Sequence, residues 1–305
     1  MATPAVPKML LFSDLGAATL RLGDSDSGQR WGGQFRPEFA GTPVFELQSA
    51  LVAVGTLAKA GGDFGPETQN ALKRFQWYRE NMGFRLKLAP GAKPSSGVIT
   101  PCSAFVGATP GICDQSLAAD LLEWVTGNFS TTTPLVRLST TNLSNVHLSE
   151  QFTTLDYPSA QPGEILLHPN FAAAVAGAFN DEANRANVHL RINQAFRRAD
   201  VPPSGSVVAP ATKSQHLVGH AVDINIVDGP TINTASMFLA KKATAAALAY
   251  IQAVKAKGYR WGGDFSNVDP IHFDDFLDPD GEDYAMTHFF AQLCFHAQHP
   301  MRQLN

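Results

Sequence analysis

The stretch Ser214-Gln215-His216-Leu217-Val218-Gly219-His220-Ala221-Val222-Asp223 decides how the second half of this chain folds. Its end opens an alternation in which Val222, Ile224 and Ile226 are apolar and Ala221, Asp223 and Asn225 lie between them, the period of a half-buried strand. The same period is found upstream, where Val188, Leu190 and Ile192 alternate with His189, Arg191 and Asn193. It returns downstream, where Ile271 and Phe273 alternate with His272 and Asp274. Phe171 to Phe179 and the span from Thr234 to Ala256 are Ala-rich and helix-prone, the second closed by Gly258. Pro202-Pro203-Ser204-Gly205 reads as loop. The expected fold of residues 147–305 is α+β, a small, mainly antiparallel sheet with helices on one side.

Strand alternation has a chemical consequence. Asp223 lies opposite Val222 and Ile224, and His272 opposite Ile271 and Phe273, so the two polar groups can share the face turned away from the core. His216 precedes Asp223 across a loop that contains Gly219 and can fold back toward it. Two imidazoles and one carboxylate leave a coordination position open for water, the pattern of a catalytic zinc site. Asp269, just before His272, is placed to reach that water. The opening stretch carries one histidine too many, His220. The remaining histidines, His147, His168, His189, His288, His296 and His299, are read as structural or exposed.

The first half has a different period. Val44, Leu47, Leu51 and Val54 recur at helical spacing and stop at Gly55; a second helix begins at Pro66 and runs through Ala71, Leu72, Phe75 and Tyr78. A third begins after Asp114 as N-cap, turns Leu117, Leu121 and Val125 inward and ends at Gly127. These predict a small three-helix bundle domain over residues 1–130, with its core at about 36–127. The Thr- and Ser-rich residues 131–146 are read as linker before the catalytic domain.

The whole chain has 305 residues and a formal net charge of −4, without long like-charge runs, which excludes the basic excess of a nucleic-acid binder. None of the three cysteines, Cys102, Cys113 and Cys294, sits in a CxxC pair. Cys102 and Cys113 are compatible with a disulfide or with two free thiols. Met1 to Lys8 leads into only four apolar residues, Met9 to Phe12, so no signal peptide is expected, and no window approaches a membrane span. The expectation is synthesis in the cytoplasm and action in the periplasm or cell wall after release or delivery.

The pattern Ser214-x-His216-x-x-Gly219-x-Ala221-x-Asp223, followed by Trp261-Gly262-Gly263-Asp264 and Asp269-x-x-His272-Phe273, resembles the VanY-like zinc peptidases: D-Ala-D-Ala carboxypeptidases and L-Ala-D-Glu endopeptidases, phage endolysins among them. Phe265 and Asp274 stand where Trp and Glu are common. Ile192-Asn193-Gln194-Ala195-Phe196-Arg197 resembles the family's strand ending in Ser-Gly-Tyr-Arg, with the first three replaced. The resemblance implies one zinc per chain on His216, Asp223 and His272, Asp269 as general base, and Arg197 as the substrate-polarising arginine. His220, at a variable position, drops out as a ligand and joins Ser214, Asn193 and Gln194 as a candidate substrate contact. In the first half, Leu47-Gln48, Leu51, Gly55, Asp63-Phe64-Gly65-Pro66-Glu67-Thr68, Ala71, Leu72 and Phe75-Gln76 resemble the peptidoglycan-binding domain of cell-wall hydrolases, and Leu20 to Ser25 its lead-in. The implied protein is a monomeric peptidoglycan hydrolase, an endolysin by preference. Alternatives are an antibacterial toxin delivered by a secretion system or, from another class, a non-catalytic wall-binding protein.

Overall fold

The apolar side of the Val222-Ile224-Ile226 alternation forms the floor of a buried core that Val188, Leu190, Ile192 and Phe273 complete. Each of these side chains is almost fully excluded from water, and each such burial is worth about 1.5–3 kcal/mol. The computed structural model describes residues 19–36, 41–105, 109–152, 155, 157, 161–201 and 211–304. The Met1–Phe12 lead and the Pro202-Pro203-Ser204-Gly205 loop lie outside the described residues. The chain divides into two compact units, Met1–Thr132 and Thr133–Asn305.

The second unit is mixed α and β. Its larger sheet orders the strands Arg260–Trp261, His272–Asp274, Ala221–Asp228, His189–Gln194 and Val146–Leu148, with Thr231–Asn233 pairing beside Ala221–Asp228. All pairs are antiparallel except that of Val146–Leu148 with His189–Gln194. A second sheet joins Arg302–Gln303, Val136–Ser139 and Glu164–Leu167. The first Ala-rich helix is longer than its periodicity suggests. It runs from Pro169 through a π-helical segment, Val175–Phe179, to Ala186, and Asn187 closes it in the left-handed conformation.

The long helix expected from Thr234 to Ala256 is two helices, Ala235–Leu239 and Ala245–Ala256. Lys241 takes φ +56°, and the Lys242 N–H donates back to Met237 O, which ends the first helix. Thr244 starts the second by accepting from the Ala247 N–H, and the buried Asn233 amide fixes the corner by accepting from Thr244 N. Within residues 131–146, the segment expected as linker, Thr131, Thr132 and Thr133 are buried, and the strands Val136–Ser139 and Val146–Leu148 form. Threonine suits strands as well as loops, and its hydroxyls find carbonyl partners here: Thr131 Oγ1 donates to Val54 O.

The first unit holds helices at Pro43–Ala53, Pro66–Asn81 and Gln115–Thr126, the last capped by the Asp114 carboxylate, which accepts from Leu117 N. It is not a plain bundle, because Phe84–Lys87 pairs antiparallel with both Val98–Pro101 and Phe129–Ser130. The glutamines of its sequence pattern are internal struts. Gln48 Nε2 donates to Asp63 O and Thr68 Oγ1, while its Oε1 accepts from Gly61 N and Gly62 N. Gln76 Nε2 donates to Thr109 O and its Oε1 accepts from Gly111 N. Cys102, Cys113 and Cys294 are free thiols.

Candidate metal and catalytic site

The sheet register sets the site. Asp223 on the central strand Ala221–Asp228 pairs directly with His272 on one side and with Gln194 on the other. Cross-strand partners share a face, so all three side chains leave the sheet on the side away from Val222, Ile224 and Phe273. The pairing slips between Asp223 and Ile224, whose partners are Gln194 and Ile192. The extra residue, Asn193, is a bulge that swings Gln194 onto the site face without turning Ile192 out of the core.

His216 reaches the same face from a tight helical turn, Gln215–Val218. Ser214 caps that turn by accepting from His216 N, and Gly219 closes it at φ +75°. A Cβ on Gly219 would sit 2.7 Å from His168 N and 2.6 Å from Leu135 Cδ2. Gly219→Ala is therefore expected to destabilise the protein by about 2–4 kcal/mol, the left-handed strain adding to the overlap. Urea unfolding measures it; a loss below about 1 kcal/mol would contradict the assignment.

The donor atoms converge. His216 Nε2 lies 3.1 Å from Asp223 Oδ1 and 3.1 Å from His272 Nδ1, and His272 Nδ1 lies 3.2 Å from Asp223 Oδ1. A tetrahedral zinc with bonds of about 2.0–2.1 Å has ligand–ligand edges of about 3.3 Å, so these three atoms fit one face of the tetrahedron. Among the described residues they form the one cluster of three or more His, Cys, Asp or Glu side chains able to hold a metal. The far nitrogen of each ring is engaged, as metal-binding imidazoles require: His216 Nδ1 lies 2.7 Å from Ala195 O, and His272 Nε2 lies 3.0 Å from Asp274 Oδ2. The donor set, two borderline nitrogens and one oxygen, suits zinc.

The electrostatics match a cation site. Burial alone would raise the Asp223 carboxyl, but the imidazoles of His216 and His272 outweigh it and hold Asp223 well below the usual carboxylate range. Burial opposes a charge on His272, yet Asp223 and Asp274 raise it to about 9. Burial also raises the Asp269 carboxyl, as does the charge of Asp223, while His272 and His216 pull it part of the way back.

The second motif holds Asp269 in place. Asp269 N donates to Gly262 O, His272 N donates to Asp269 O, and the Trp261 indole donates to Pro270 O. A Cβ on Gly262 would lie 2.1 Å from Asp269 O, and one on Gly263 would lie 2.2 Å from the Trp261 ring. The two glycines therefore allow the loop to close on Asp269. Arg197 stands on the opposite side, where Nη1 donates to Gln194 Oε1. Burial lowers its guanidinium, an effect opposed by Asp223 and Tyr284.

Not every candidate is brought in. His220 is buried against the His168 ring, 4.2 Å between centroids, with Nδ1 2.8 Å from Asp275 Oδ1. The Ser214 hydroxyl is the turn cap, and its carbonyl accepts from Tyr284 OH. Asn193 Oδ1 accepts from Asn225 Nδ2. Asp264, in the second motif, is exposed and paired with Lys255. Sequence reasoning placed Asp274 in the second motif but gave it no role; its contact with His272 follows from an i, i+2 spacing on one strand. It also missed Gln292 of the helix Glu282–His296, which donates from Nε2 to Arg197 O and Leu217 O and so ties the arginine to the metal-site turn.

Comparison with known proteins falls on this region. No curated protein matches the chain. Residues 208–275 match a family model described as D-alanyl-D-alanine carboxypeptidase. The matched segment contains His216, Asp223, Asp269 and His272.

Proposed function

We propose that this chain is a zinc-dependent peptidoglycan peptidase that hydrolyses an amide bond of the peptide stem. The observation that carries the reading is the triangle of His216 Nε2, His272 Nδ1 and Asp223 Oδ1, with edges of 3.1–3.2 Å. Bound zinc supplies an acidified water and polarisation of the scissile carbonyl. Asp269 takes the proton from the attacking water and passes it to the leaving amine. Arg197, held by Gln194 and Gln292, faces the negative charge that develops on the carbonyl oxygen. The first unit, by its resemblance to peptidoglycan-binding domains, holds the enzyme on the polymer and raises the local concentration of cleavable bonds. The biological role we assign is that of an endolysin.

The test is metal analysis of the purified protein combined with mass spectrometry of digested muropeptides. One zinc per chain with loss of terminal D-Ala identifies a carboxypeptidase, and separation of L-Ala from D-Glu identifies an endopeptidase. Absence of both zinc and product overturns the reading.

A further inference from the structure

We infer that Arg260 is a positioning residue for the metal site: it fixes the His272 imidazole through Asp274, and Phe265 and Phe276 hold it in place. The inference rests on the reading of His272 as a metal ligand. Asp274 is fully buried and accepts four hydrogen bonds. One comes from His272 Nε2 at 3.0 Å, two from Arg260 Nε and Nη2 at 2.6 and 2.7 Å, and one from the Phe276 N–H at 3.0 Å. An ionised carboxylate can only accept, so the hydrogen between Asp274 and His272 sits on Nε2. That leaves Nδ1 as the atom turned toward His216 and Asp223.

Arg260 makes this arrangement rigid. It lies directly across the sheet from Asp274, and its planar fork engages both carboxylate oxygens, which removes the freedom of the carboxylate to rotate. It also supplies the positive charge that a buried carboxylate needs. The guanidinium carbon lies 5.0 Å from the Phe265 ring centre and 4.1 Å from that of Phe276, and the Phe265 ring lies 5.8 Å from the His272 ring. Phe276 takes φ +52°, a conformation that costs a bulky residue energy. In that conformation its N–H reaches Asp274 while its ring lies against Arg260. The strained backbone is thus part of the same support.

The test compares wild-type protein with Arg260→Gln, Arg260→Lys and Asp274→Asn. Zinc affinity is measured by chelator competition, and solvent exchange of the His272 Nε2–H by proton NMR of the metal-free protein. Arg260→Gln is expected to lose about 10–100-fold in zinc affinity and to exchange that proton at least about tenfold faster. Arg260→Lys recovers part of both losses, because the charge returns without the fork. A folded Arg260→Gln protein with affinity within about threefold of wild type and unchanged exchange overturns the inference. If Arg260→Gln does not fold, the near-isosteric Asp274→Asn decides on the same two readouts. If wild-type protein binds no zinc, the proposed function fails, while the exchange readout still judges the role of Arg260.

Discussion

Asp269→Ala is expected to lower kcat for stem-peptide cleavage by about 10²–10⁴-fold while zinc stoichiometry stays at the wild-type value. The two effects separate because Asp269 is held by its backbone and is not one of the three converging donors. Its N–H donates to Gly262 O and its carbonyl accepts from His272 N, contacts that alanine keeps. The carboxylate feels Asp223, His272 and His216 electrostatically, so it lies beside the site. Truncation removes the proposed proton acceptor without moving His272, the proposed metal ligand three residues on. KM is expected to change little, since a base that acts on water contributes to the transition state rather than to substrate binding. Stopped assays on purified muropeptides give kcat and KM, and metal analysis gives the stoichiometry. Activity within a few-fold of wild type would remove Asp269 from the mechanism; loss of zinc together with activity would make it a ligand or a structural support instead.

What the sequence discloses about this site is the part that depends on period. Alternation puts Asp223 and His272 on the outer faces of their strands, and antiparallel pairing then makes them direct partners. Features that depend on register or on distant elements stay hidden. The bulge at Asn193 aims Gln194, yet a bulge residue looks like any other member of an alternating strand. Arg260 belongs to a strand of two residues, too short to carry a period, and its partnership with Asp274 appears only once the sheet is assembled. Gln292 reads as one polar residue in a C-terminal helix, although it is buried and bonded to two carbonyls of the site loops. The break at Lys241 escaped because composition favours helix on both sides of it. The signal that could have revealed it is Thr244, an N-cap residue placed before Ala245-Ala246-Ala247. In the first unit, strands of two to four residues were masked in the same way. The Leu-Gln and Phe-Gln patterns specify a folded corner through Gln48 and Gln76, so they bear on architecture before they bear on ligand binding.

Removing zinc with a chelator is expected to abolish hydrolysis reversibly and leave the second unit folded. Small zinc domains unfold without their metal because the ligands are most of their core. Here the sheet buries Val222, Ile224, Ile226 and Phe273 on the face opposite the donors, and that core does not depend on the ion. The cost of metal loss is the binding linkage alone, about 4 kcal/mol when zinc is supplied at a thousand times its Kd, seen as a lower Tm with cooperativity kept. The pH dependence of reloading has a definite sign. Without metal, Asp223 and Asp274 outweigh burial and raise His272 to about 9, so at neutral pH the imidazole holds a proton that zinc must displace. Apparent zinc affinity therefore rises with pH by about tenfold per unit between 7 and 9 and levels off above the His272 pKa. Chelator competition across that range, with calorimetry of the stripped and reloaded protein, measures both effects. Activity that survives complete zinc removal would show that hydrolysis does not depend on the metal. Stripped protein that unfolds and fails to recover on reloading would show that the ion, rather than the Val222–Phe273 core, holds the sheet together.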